Sequence, residues 1–160
     1  MNPLYAVPDD GASPYPLDFD RLVEHVRELG YGLDVIVEGR AAGAIFDTIP
    51  FHFSIDASGR FLSIRAMWDS GLPFAPSQHA IFAAADSWNR EKYFPTVYAM
   101  PGQDRNAEVL GDLVLDITQG VSNDQLTQNI RAGISTGLDA MAYMQEAAAQ
   151  TLGWVDPRAK

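Results

Sequence analysis

The chain contains no cysteine. That excludes disulfide frameworks, thiolate zinc sites, iron–sulfur clusters and cysteine nucleophiles together, and it suits a reducing compartment. Long apolar runs are missing as well: no stretch approaches the length of a membrane span, and Met1 is not followed by a basic segment leading into an apolar one. The expectation is a cytoplasmic protein with no signal peptide and no membrane association. Basic residues are scarce, with 11 Lys and Arg against 21 Asp and Glu, giving a net charge of −10 and a pI near 4.5. Such a field repels phosphate backbones, and the few basic residues stand singly instead of forming the patches that release counterions, which argues against nucleic-acid binding. Catalytic signatures are absent too. There is no Gly-x-Gly-x-x-Gly, P-loop, Gly-x-Ser-x-Gly, His-Glu-x-x-His or EF-hand pattern.

What the chain does contain is the material of one globular domain. Its 160 residues are 47% hydrophobic and 20% charged, and at that length folding buries roughly 70% of the unfolded surface. Residues 1–17 carry Pro3, Pro8, Pro14, Pro16 and Gly11, too much proline for a helix, and are read as an arm that is ordered only if something pins it. Residues 18–153 are read as one α+β domain and residues 154–160 as a short tail.

Within the domain, Asp18 is a good N-cap, Leu22, Val23, Val26 and Leu29 recur at helical spacing, and Gly30 supplies the stop, predicting a first helix over 18–29. Strand-like runs follow at Leu33–Glu38, Ala44–Asp56 and Arg60–Asp69, separated by 39–43 and by the turn Asp56–Gly59. Pro50 lacks an N–H, so the middle run is expected to lie at an edge or to break near that residue. A second helix is predicted over Ser77–Lys92, strands at Phe94–Met100 and Glu108–Ile117, and a long third helix from 122 to about 150. The last opens on a capping box, Ser122 with Gln125. Gly133 and Gly137 inside it mark close packing or a bend. The predicted fold is thus an antiparallel five-stranded sheet with elements in the order αβββαββα, lacking the βαβ alternation of parallel sheets.

The polar residues offer little chemistry. His25, His52 and His79 are isolated, without metal-ligand spacing, and read as structural or surface residues. Asp9 and Asp10 sit on the arm, where no scaffold fixes them, and Asp112 and Asp116 share one parity of a strand as solvated charges. No catalytic residue, metal or cofactor is expected. If the apolar parity of each strand faces the helices, the opposite face carries Ile36, Phe46, Met67, Tyr98 and Val114 among Thr48, His52, Arg65, Asp112 and Asp116. That face is more apolar than solvation requires, as at an interaction site. Trp68, Trp88 and Tyr98 could alternatively line a pocket for a small molecule between sheet and helices.

From Ala83 to about Met144 the chain resembles the YbjN family of small bacterial proteins, described as regulators of sensory transduction. The matching features are Trp88-Asn89 late in the second helix and the aromatic strand start at Tyr93 and Phe94, leading to Val97, Tyr98 and Ala99. They continue with the polar loop, the Leu110–Ile117 strand, and Gly120-Val121-Ser122 with Leu126. The resemblance implies a type III secretion chaperone-like fold, homodimers, and binding of other polypeptides without cofactors or catalysis. Trp88 and Asn89 are its best-marked positions, read as structural: the indole against the sheet, the amide bridging the helix end. The expected function is therefore a non-enzymatic protein-binding module, with a small-molecule sensor as the alternative.

Overall fold

The computed structural model describes residues 4–159. Helix α1 spans Phe19–Glu28; the Asp18 carboxylate accepts the Arg21 N–H at 2.8 Å, and Gly30 leaves the helix at a φ of 95°. Four strands follow, β1 at Asp34–Val37, β2 at Ala41–Phe46, β3 at Ile49–Ile55 and β4 at Phe61–Pro73. Helix α2 covers Phe74–Glu91, with Pro76 tolerated in the first turn, where its missing N–H has no helical partner to lose. Strands β5 (Thr96–Pro101) and β6 (Asn106–Asp116) precede the long helix α3, Asn123–Leu152. The capping box is present: Gln125 N–H donates to Ser122 Oγ at 3.0 Å and Ser122 N–H to Gln125 Oε1 at 2.9 Å.

The order is αββββαββα with six strands, which corrects the five-stranded αβββαββα expectation. The run from Ala44 to Asp56 is not one strand but a hairpin. Asp47 and Thr48 take φ of 47° and 69° between the paired residues Phe46 and Ile49, the geometry of a two-residue turn with both central residues left-handed. Glycine or asparagine usually announces such a turn. Here a β-branched threonine occupies the second position, at a steric cost, and the signal is hidden.

The chain therefore reverses before Pro50 instead of breaking at it. Phe46 and Ile49 close the hairpin as a hydrogen-bonded pair, so Pro50 opposite Ile45 directs its missing N–H away from β2. On that other side, pairing of β3 with β4 begins only at Phe51 with Ala66, so no ladder bond is lost. The sheet runs β1-β2-β3-β4-β6-β5 with every neighbouring pair antiparallel.

The core lies between one face of this sheet and the helices. Phe51, Phe53, Leu62 and Ile64 are fully buried there with Leu22 and Val26 of α1 and Leu126, Ile130, Met141 and Met144 of α3. The two helical glycines mark close packing: a Cβ at Gly133 would lie 2.9 Å from Ile64, and one at Gly137 2.8 Å from the Phe51 ring. The α3 backbone itself is pressed onto the sheet.

Part of the proline-rich segment is pinned. Tyr15 pairs with Val121 through both backbone bonds, and Gly11 C=O accepts the N–H of Asp124. Arg21 Nη1 donates to the carbonyls of Tyr15 and Pro16, and its Nη2 donates to Val121 C=O and Asn123 Oδ1. At the other terminus, Trp154 folds back past Gly153 and meets Trp68 edge-on, with ring centroids 5.1 Å apart. Among the described residues no helix is long and apolar enough to cross a membrane.

Candidate functional site

Strand register sorts the side chains onto two faces. The pairs Phe53–Ile64, Phe51–Ala66, Ile64–Leu113 and Trp68–Val109 place one set under the helices. The pairs His52–Arg65, Arg65–Asp112, Met67–Leu110 and Leu110–Tyr98 place the other set on the reverse face, which no helix covers among the described residues. Ile36, Met67, Tyr98 and Val114 lie on this open face, four of the five residues expected there.

Phe46 does not. It belongs to the covered face, with its ring 5.3 Å from both Tyr31 and Phe51. A two-residue hairpin pairs an even-numbered residue of β2 with an odd-numbered one of β3, as in Phe46 with Ile49 and Ala44 with Phe51. The inside parity thus switches across the turn, and Ile45 takes the open side at 72% exposure. Thr48 lies in the turn itself.

The centre of the open face is polar and internally matched. Arg65 donates to Asp112 through Nε at 2.7 Å and Nη2 at 3.1 Å, and the Tyr98 hydroxyl donates to Asp112 Oδ2 at 2.8 Å. Desolvation, then the Asp112 bond, push the Tyr98 pKa up to about 12, and the same carboxylate raises that of Arg65. His52 beside Arg65 is held below its ordinary pKa by burial first and by the Arg65 charge second. Around this network stand Ile36, Ile45, Met100 and Val114, the last 57% exposed, while Leu110 is wedged to 4% exposure between Met67 and Tyr98. The result is an apolar surface with a preformed charged centre that needs no partner to neutralise it.

The remaining candidates are held locally. Asp10 accepts the N–H groups of Ala12 and Ser13, Asp116 accepts from Thr118 N–H and Oγ1, and His25 Nε2 meets Thr127 Oγ1 at 2.7 Å. Asp9 and His79 are exposed on the arm and on α2. Among the described residues no cluster of His, Asp or Glu could hold a metal ion. The pocket expected between Trp68, Trp88 and Tyr98 does not form, because the two tryptophans are buried on the helix side and Tyr98 lies across the sheet from them.

Trp88 and Asn89 sit where α2 meets the start of β5. The indole Nε1 donates to Pro95 C=O at 3.0 Å. The Asn89 amide donates to Val97 C=O and accepts its N–H, both at 2.8 Å, so one side chain occupies a backbone position of the edge strand as a neighbouring strand would. This is one way of blunting a sheet edge.

A family model described as "putative bacterial sensory transduction regulator", YbjN, matches residues 18–146. The chain belongs to the YbjN family. The matched span starts at the N-cap of α1, so it takes in the first helix and the β1–β4 meander that the sequence resemblance did not reach. Among solved structures, YbjN from E. coli superposes with a TM-score of 0.68 at 14% identity, covering 86% of this chain and 96% of that one. An uncharacterised protein from Methanothermobacter thermautotrophicus gives 0.54 at 14% identity, covering 79% and 96%. At these identities the likeness establishes a shared YbjN-type fold. A chain of the HopA1–SchA chaperone–effector complex aligns at a TM-score of 0.49 and 13% identity over 74% of this chain and 88% of that one, too loosely to bear on fold or function. No curated protein matches the sequence.

Proposed function

We propose that this YbjN-family protein is a non-enzymatic protein-binding module, a regulatory adaptor of the cytoplasm that seats another polypeptide on the open face of its sheet. The observation that carries the reading is that face itself: Ile36, Ile45, Met100 and Val114 stand exposed on a six-stranded sheet whose helices, among the described residues, all cover its other side. An uncovered apolar sheet face of this kind is the usual mark of an interface. The Arg65–Asp112–Tyr98 network is compatible with the reading, since its charges are already paired and cost less to cover than unpaired charges would. A homodimer formed through the same patch on both subunits is the form of association that a two-fold axis would give.

The test is affinity purification of the tagged protein from its native host, with light scattering of the eluate, in parallel for the wild type and the variant Ile45→Asp/Val114→Asp. Both positions are exposed, so the variant keeps the core intact. The expected result is a stoichiometric partner or second copy that the variant loses. Equal recovery with both proteins would remove the open face from the binding reading.

A further inference from the structure

Strand β6 is longer than its neighbour on the β5 side. Pairing with β5 stops at Thr96–Asp112, while pairing with β4 continues to Asp116 with Phe61. The stretch Leu113–Asp116 is therefore paired on one side only, a step of about 13 Å in the outline of the sheet.

The orientation of the free backbone groups follows from Asn89. Because that side chain takes both the N–H and the C=O of Val97, these groups point away from β6. In an antiparallel pair successive residues alternate, so Thr96 and Tyr98 direct their groups toward β6, and Asp112 and Leu110 answer them. Two residues further along β6, Val114 points the same way. Among the described residues its N–H and C=O have no hydrogen-bond partner there. They lie at a groove of about 510 Å³ lined by Val114 itself with Tyr93, Phe94, Tyr98 and Asn129 of α3. Tyr93 is 99% exposed, and Phe94 and Val114 are also exposed.

We propose that this step is a strand-addition site, at which an extended segment of a partner polypeptide pairs with Val114 in line with β5 and lays an apolar side chain against Tyr93 and Phe94. It rests on the protein-binding reading and specifies how the partner is held. A free N–H and C=O on one residue of a strand edge are complementary to an extended backbone and to little else. The acidic Asp116 at the open end and the net charge of −10 favour a segment bearing Lys or Arg, and they oppose pairing with a second copy of β6, which with Val114 opposite Val114 would set Asp116 against the other copy's Asp112, a position β5 already fills.

The test uses the full chain and a display library of random linear peptides, with the enriched peptides measured against wild type and Val114→Pro. Proline removes the donor that faces the groove and leaves the β4 ladder, which is served by Leu113 and Leu115, untouched. Enriched peptides are expected to bind Val114→Pro about tenfold more weakly and to slow hydrogen exchange of the Val114 amide in the wild-type protein. The exchange measurement stands even if the proline variant folds poorly. Peptides that bind both proteins alike and leave the Val114 amide unprotected would overturn the strand-addition site while leaving a protein-binding role on the open face intact. Failure to enrich any peptide would also overturn it, and the open-face variant in native-host purification would then judge the broader reading separately.

Discussion

The two faces of the sheet are built from the same strands yet obey different rules. On the covered face, Phe51, Phe53, Leu62 and Ile64 exclude water completely, and α3 comes so close that Gly133 and Gly137 have no room for a methyl group. On the open face nearly every side chain is half-buried or exposed, and the centre is held by directional bonds among Arg65, Asp112 and Tyr98. Stability is concentrated on one side of a layer one residue thick, and the other side is left free to bind. A substitution should therefore be read first by face and only then by residue type.

The contrast is sharpest in paired truncations. Phe53→Ala should cost about 3–5 kcal/mol through lost burial and a residual cavity, and Met67→Ala on the open face less than about 1 kcal/mol; denaturant unfolding of both variants measures the difference. Similar losses for the two would mean that the open face is packed against something in the folded protein. Next in size, Gly137→Ala should destabilise by about 1–2 kcal/mol, because the clash with Phe51 and Ala66 outweighs the gain in helix propensity. A stabilised variant would show that α3 can lift off the sheet without loss.

On the open face, Asp112→Asn should cost about 1 kcal/mol, since the bidentate Arg65 pair is half-exposed and only its geometry lifts it above an ordinary surface bridge. The smallest effect is a pH dependence. The folded Tyr98 pKa, about 12, stands above the ordinary value near 10, so the folded state holds the phenolic proton more tightly. Its contribution is fully present below pH 10 and is lost as pH rises from about 10 to about 12. Absorbance titration should show one late phenolate that is missing in Tyr98→Phe and earlier in Asp112→Asn. If every phenolate appears near the ordinary value, Tyr98 is not held by Asp112 in solution.

Much of the covered face can be read directly from the sequence because caps and periodicity act locally. Asp18, Gly30 and the Ser122–Gln125 box fixed helix ends within a few residues, and the apolar parity of β3 and β4 faces the helices. The hairpin at Asp47–Thr48 was hidden because its turn chemistry is atypical, and that single omission cost a strand and put Phe46 on the wrong face. Ile36, Met67, Tyr98 and Val114 were placed on the open face by parity alone, since the run that holds each of them contains no hidden turn. The Asn89 clasp on Val97 could be anticipated only as a bridge at the helix end. Its bonding to both backbone groups depends on where α2 and β5 meet, which no local pattern encodes.

That clasp also governs how the outer edges respond to competition. A strand arriving at β5 would have to displace the Asn89 amide, exchanging two existing bonds to Val97 for two new ones of the same kind, so the encounter is close to neutral. At Val114 there is no incumbent, and every bond formed replaces only water. One side chain thus closes Val97 on the outer strand while the overhang of β6 leaves Val114 open, separating where another chain can collide from where it can stay.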